Sequence, residues 1–182
     1  MKRFINHWRY HMDVSKEVEV FLLQRAQVVD YMAYDHFMQP GERKHYWCFV
    51  LKGLAFGYTL DADGRRSIHW FAGPMRGFTG VRHLHTSKGP SQAIQFRTDS
   101  TILRIPALHM RAAKIRYHEV SELLHLIHHY NEKQKDHLLH IVKQPNADAR
   151  FAAFMVHFAE FARLTSTAEH MDFINMGRGS YY

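Results

Sequence analysis

The organisation changes twice along this chain, and the second change, at Pro106, bounds the fold more tightly than any other feature. Between about Val28 and Ile105, short β-branched or aromatic runs such as Tyr46-Trp47-Cys48-Phe49-Val50-Leu51 and Ser67-Ile68-His69-Trp70-Phe71 are separated by turn signals. Those signals are Pro40-Gly41, Lys52-Gly53, Asp63-Gly64, Gly73-Pro74 and Gly89-Pro90. Many short strands with tight turns read as a sandwich or jelly roll. Asp63-Gly64, between Leu54–Leu60 and Ser67–Phe71, predicts a hairpin with a type I′ turn, since that dipeptide tolerates positive φ at both central positions. Ahead of the strands, Ser15 caps Lys16-Glu17-Val18-Glu19-Val20-Phe21-Leu22-Leu23, a short helix with Val18, Phe21 and Leu22 on one face.

After Pro106 the Gly and Pro signals almost stop and the period becomes helical. Val120, Leu124, Ile127, Asn131, Gln134, Leu138 and Ile141 follow one another at alternating spacings of four and three, a heptad seam on a helix of about 25 residues. It ends before Pro145, because the residue preceding proline avoids the α region. Such a seam either packs on the chain's own β-domain or joins two copies as a coiled coil; a homodimer through these seven residues is the expectation. Asn146 then caps an amphipathic helix with Phe151, Phe154, Met155 and Phe158 at helical spacing. Near the end, Met171, Phe173 and Ile174 suit one side of a short helix, Asn175 suits a turn, and Gly177 through Tyr182 starts another helix. This is helix-turn-helix grammar, with the second helix scarcely begun at Tyr182.

Composition narrows the functional classes. With 46% hydrophobic and 23% charged residues, the chain builds a packed core rather than a disordered ensemble. No apolar run approaches the roughly 20 residues of a membrane span, and nothing after Met1-Lys2-Arg3 resembles a signal-peptide core, so a soluble cytoplasmic protein without membrane partners is expected. One cysteine, Cys48, excludes internal disulfides, Cys-x-x-Cys redox pairs and multi-cysteine metal centres, and reads as a small core residue. The net charge of +7 suits a polyanionic partner, but residues 146–182 hold three basic against four acidic side chains.

The order of these parts resembles the Crp/Fnr family of bacterial transcription regulators. The resemblance rests on Pro40-Gly41-Glu42, Tyr46–Gly53, Leu54–Leu60 with Asp61-Ala62-Asp63-Gly64, Ser67–Gly73, Gly89-Pro90 and the apparent closing hairpin Thr98–Ile105. The stretch from Met171 to Tyr182 is similar to the family's first DNA-binding helix, turn and reading-helix start. It implies an α+β chain: a cyclic-nucleotide-binding-like sensor jelly roll (double-stranded β-helix) at 1–109, a long dimerisation helix at 110–145 and a partial winged helix at 146–182. It implies duplex DNA with palindromic operators as partner, no catalytic activity, and a small-molecule effector of unknown identity.

By the same resemblance, the ligand cradle falls on Arg76, Gly77, Phe78, Thr79, Gly80, Val81 and Arg82, then Ser91 and Gln92 after Pro90. Cyclic-AMP-binding members carry a glutamate and an arginine in that cradle; here Val81 and Ser91 stand at those positions. A buried phosphodiester without its cation is costly, so cyclic AMP is not expected to bind, with Arg76 and Arg82 the cations left. Arg178, Ser180, Tyr181 and Tyr182 begin the expected DNA-reading surface. The competing reading is a β-roll sensor or interaction module that does not bind DNA, favoured by the charge of 146–182 and the early stop in the reading helix. Among the 16 histidines, His125, His128 and His129 share one helical face, His137 and His140 repeat the spacing, and His83 and His85 form an isolated pair. None carries a protease or cupin pattern of carboxylates, so no metal or cofactor is expected.

Overall fold

The computed structural model describes residues 2–80 and 91–174. Two helices, α1 (Lys2–His11) and α2 (Lys16–Leu23), open the chain, and Ser15 caps the second by accepting the Val18 N–H at 3.3 Å. The first was not anticipated, although Phe4, Ile5 and Trp8 fall on one face and are all buried. Eight strands follow: β1 (Gln27–Tyr31), β2 (His36–Met38), β3 (Tyr46–Lys52), β4 (Ala55–Leu60), β5 (Arg66–Ala72), β6 (Gly77–Thr79), β7 (Ala93–Phe96) and β8 (Ser100–Pro106). They form two antiparallel four-stranded sheets, ordered β1-β8-β3-β6 and β2-β7-β4-β5. This is the expected roll.

Two local expectations are corrected. Of Asp63 and Gly64 only Gly64 has positive φ, at 75°, and its N–H bonds the Asp61 carbonyl at 3.1 Å. The Asp61 carboxylate accepts the N–H groups of Asp63 and Arg65 at 2.9 and 2.8 Å, so a side-chain-stapled turn replaces the mirror-image type I′ turn. The Thr98–Ile105 stretch is no hairpin either, because β7 and β8 belong to different sheets. The crossing between sheets is tight enough to demand glycine opposite it. At Gly53, with φ of 93°, an added Cβ would lie 2.1 Å from Ser100 Oγ.

The sheets bury three layers. Between them lie Phe37, Met38, Cys48, Val50, Phe78, Ile94, Phe96 and Ile102. Cys48 is a core residue, and burial pushes its thiol pKa up. Outside the first sheet, Trp47, Phe49, Leu103 and Ile105 meet α1, α2, α3 (Ala107–Arg116) and the start of α4 (His118–Val142). Outside the second, Leu54, Phe56, Ile68 and Phe71 share one core with Ile141 and with α5 (Ala147–His157), α6 (Ala159–Ala162) and α7 (Thr167–Ile174). Asn146 caps α5 through the Ala149 N–H at 2.9 Å. Phe154 and Phe158 point inward as expected, whereas Met155 is exposed.

The 25 residues of α4 carry two interleaved heptad stripes, not one. Val120, Leu123, Ile127, Tyr130, Gln134, His137 and Ile141 face the chain itself: the first three join the outer core, and Ile141 joins the core around Phe154. Tyr130 stacks under Arg76 at 4.2 Å, and His137 meets His157 at 4.4 Å. Gln134 explains its polarity at a seam position, because it bonds both the N–H (3.3 Å) and the C=O (2.8 Å) of Phe71 on the edge strand β5. The second stripe, Leu124, His128, Asn131, Lys135, Leu138 and Val142, lies one step round. Val120, Ile127, Gln134 and Ile141, expected at an intersubunit seam, are thus engaged within the chain; Leu124 and Leu138 of the second stripe also pack against its cores from one side and stay half-buried, and Asn131 is exposed.

Candidate functional site

The interior of the roll, where a nucleotide cradle was expected, is built of aromatic side chains. Phe78 is 5% exposed, stacks with Trp70 at 5.7 Å and meets Phe37 edge-on at 5.4 Å. Trp70 lies across Gly57, where a Cβ would come 2.3 Å from its indole ring, and donates its Nε1–H to Gln92 Oε1 at 3.0 Å. Gln92, one of the cradle candidates, is therefore bonded within the protein. Gly80 packs on the Lys44 backbone so closely that a Cβ would lie 2.2 Å from its carbonyl oxygen. Thr79 is half-buried and Ser91 exposed. Val81, Arg82, His83 and His85 lie outside the described residues.

Arg76 is directed elsewhere. The turn Gly73-Pro74-Met75-Arg76 is closed by an Arg76 N–H to Gly73 C=O bond of 3.1 Å, with Met75 in the left-handed region at φ 64°. It carries the Arg76 guanidinium out of the roll onto Tyr130 of α4. There a crevice opens between α1, the start of β6 and α4, lined by His7, Phe49, Arg76, Ile127, Tyr130 and Asn131 among others. The family resemblance puts Arg76 in one cradle with Phe78 and Thr79. The left-handed turn separates them.

A second constellation joins the roll to the C-terminal helices, and the sequence reading missed it. Glu169 is 5% exposed; its carboxylate accepts from Arg97 Nε at 2.9 Å and from the Ser166 N–H and hydroxyl at 2.7 and 2.9 Å. Ser166 returns the bond by accepting the Glu169 N–H at 3.3 Å, a reciprocal capping box for α7. Arg97 also donates to the Tyr34 hydroxyl at 2.7 Å, and Arg66 Nε donates to Asp172 at 2.8 Å. Burial pushes the Glu169 pKa up, but the Ser166 N–H and the Arg97 guanidinium outweigh it and hold the carboxyl below its usual range. The motif Ser166-Thr167-Ala168-Glu169 was legible as a cap; its pairing with arginines from β5 and from beyond β7 was not.

Beside it, His170 is 6% exposed against the Phe154 ring at 4.9 Å. Thr165 donates its hydroxyl to the Phe161 carbonyl, so it receives the His170 Nε2–H at 3.0 Å, which leaves Nδ1 buried as an acceptor with no bonding partner among the described residues. Burial is the main reason its pKa lies below the ordinary histidine value. His125, His128 and His129 are exposed, and no cluster able to hold a metal ion occurs among the described residues. Arg178, Ser180, Tyr181 and Tyr182 lie outside the described residues, as do Asn175 and the expected second helix.

No protein-family model matches the sequence, and no curated protein matches it. Solved structures do. FixK2 from Bradyrhizobium japonicum is 20% identical, with 85% of this chain and 80% of that one covered at a TM-score of 0.72. The c-di-GMP responsive global regulator CLP of Xanthomonas campestris is 11% identical over 91% of this chain and 87% of its own, also at 0.72. A mutant of CooA from Carboxydothermus hydrogenoformans is 14% identical over 93% and 77%, at 0.69. No helix among the described residues is long and apolar enough to cross a membrane. Two antiparallel sheets rolled around an aromatic core, followed by one long helix and a helical C-terminal unit, give this chain the fold of the Crp/Fnr regulators.

Proposed function

We propose that this protein is a dimeric, DNA-binding transcription regulator of Crp/Fnr type whose roll does not take cyclic AMP. The observation that carries the reading is coverage: the matches to CLP and CooA reach 91% and 93% of the chain and so extend past α4 into the helices after it. A sensor roll alone would not account for that. The aromatic filling by Trp70 and Phe78, with Gln92 bonded to the indole, supports the absence of cyclic AMP binding, as does Ser91 where an arginine is expected. Residues 1–109 act as sensor, 110–145 as dimerisation helix and 146–182 as the DNA-binding unit, with Arg178, Ser180, Tyr181 and Tyr182 at the reading surface. We place the self-contact on the second stripe of α4, where Val142 and the outward sides of the half-buried Leu124 and Leu138 supply apolar contacts, and Asn131 sets register as a polar residue in a coiled-coil seam does.

Selection of full-length protein on a random-duplex library, followed by mobility shifts across a salt series, tests the reading. Two-fold symmetric sites are expected, with half-sites about one helical turn apart. Affinity should fall by about three to five powers of ten between 50 and 200 mM salt for about six to ten neutralised phosphates. An absence of enriched duplexes favours the interaction-module reading instead. For the dimer, Val142→Asp is expected to halve the mass seen by light scattering while leaving the circular dichroism spectrum intact; an unchanged mass removes the second stripe as the interface.

A further inference from the structure

We propose that the crevice between α1, the Gly73–Arg76 turn and α4 binds a small carboxylate, with Arg76 as the anion-holding residue. The case begins with unmet hydrogen-bonding capacity. Arg76 is half-buried and stacked on Tyr130 at 4.2 Å, yet its guanidinium makes no hydrogen bond or ion pair among the described residues. The same holds for the side chains of His7, His11, Tyr130 and Asn131, which meet one another and Phe49 only through ring contacts or line the same crevice. His7 and His11 stand 4.9 Å apart and His11 lies 6.3 Å from Tyr130, so two imidazoles and a phenol are gathered at one side of the crevice. No acidic side chain lines the crevice. Elsewhere arginines of this chain do find carboxylates: Arg66, Arg97 and Arg116 all pair within 2.9 Å.

The floor is apolar, made of Phe49, Met75, Leu123 and Ile127. An apolar recess with a few convergent polar groups is the usual form of a small-ligand site, and here every such group is a donor or is able to become one. A planar carboxylate fits the guanidinium fork in a bidentate manner, as a spherical chloride does not. Size restricts the rest of the ligand. The enclosed free volume is about 10 Å³, about the room of one water, so a methyl is the most that enters and neither a longer chain nor an aromatic ring does. His7 reports on occupancy: burial, His11 and Arg76 together hold its pKa below the ordinary value, and a bound anion opposes the last two. The site touches α4 at Ile127 and Tyr130 of the inward stripe and at Asn131 of the second, and it stands independently of the DNA-binding reading.

The test is an NMR titration of the full-length protein with sodium acetate and, at matched ionic strength, with sodium chloride, acetamide and benzoate. The Arg76 side-chain N–H and the His7 ring are followed. Saturable shifts are expected with acetate in the millimolar range, together with a rise in the His7 pKa, and not with the other three. Arg76→Gln should weaken acetate at least tenfold. Tyr130→Phe, which keeps the ring under Arg76 and removes only the hydroxyl, should weaken it about threefold and serves if the first variant does not fold. Equal responses to chloride and acetate, or unaltered acetate binding by both variants, overturn the site and leave a solvated arginine.

Discussion

Phe173→Ala is expected to cost about 3–5 kcal/mol, a large share of the roughly 5–15 kcal/mol that holds a domain of this size. Phe173 is 3% exposed and touches three rings: Phe71 of β5 at 4.7 Å, Phe154 of α5 at 5.7 Å and Phe158, between α5 and α6, at 4.8 Å. Truncation leaves a cavity in the core that the roll shares with the C-terminal helices, and aromatic neighbours on both sides cannot collapse into it. The loss should therefore be local in hydrogen exchange. Amides of α5 and α7 should lose protection first, while β3 and β8, whose core lies between the sheets and under α1, keep theirs. Met155→Ala is the control, since that side chain is 42% exposed on the same helical unit and should change stability by less than about 0.5 kcal/mol. Similar urea midpoints for the two variants would show that the shared aromatic core is not what seats the C-terminal unit.

That shared core also marks the boundary of what was legible in the sequence. Strand positions were readable because turn dipeptides fence short apolar runs, and β3, β4 and β5 fall where those runs do. The long helix was readable from its period. Which side of it faces inward was not, since heptad positions 120, 127, 134 and 141 and positions 124, 131 and 138 differ by only a small rotation about the axis. Gln134 looked like a break in an apolar seam, yet its bonds to the Phe71 backbone make it the residue that covers an open sheet edge. Long-range pairings were invisible for a more basic reason. Arg97 and Glu169 are 72 positions apart, and nothing local to either residue names the other. The capping box at Ser166 was the only trace of that site, and it predicts a helix start, not a contact with the roll. Arg76 failed in the opposite direction: after the left-handed Met75 it lines the α4 crevice together with Gly77, away from the interior that Phe78 lines.

Glu169→Ala is expected to destabilise the seating of α7 by about 3 kcal/mol, the lower end for breaking a buried ion pair, because Arg97 keeps some solvent exposure and its Tyr34 partner. Glu169→Gln should cost clearly less, since its carbonyl still accepts one of the Ser166 or Arg97 bonds. The same contacts fix the response to acid. Glu169 has a pKa held below its ordinary 4.5, so its stabilisation is present above that value and drains away as pH falls through the folded-state pKa. His170 acts earlier with the same sign: its pKa also lies below the ordinary value of 6.5, so the folded state disfavours the protonated ring and loses stability as pH drops below 6.5. Acid should thus loosen α7 in two windows, the first from His170 and the second from Glu169. His170→Gln isolates them, because the amide can donate to Thr165 but takes up no proton. Between pH 7 and 5.5 the protection factors of the α7 amides, taken relative to the acid-slowed exchange of unstructured amides, should fall more steeply in the unaltered protein than in His170→Gln, with the buried histidines and carboxylates elsewhere common to both. Identical slopes would mean that the bare Nδ1 finds a partner on protonation, and would remove the upper window while leaving the Glu169 window to be read below pH 4.5.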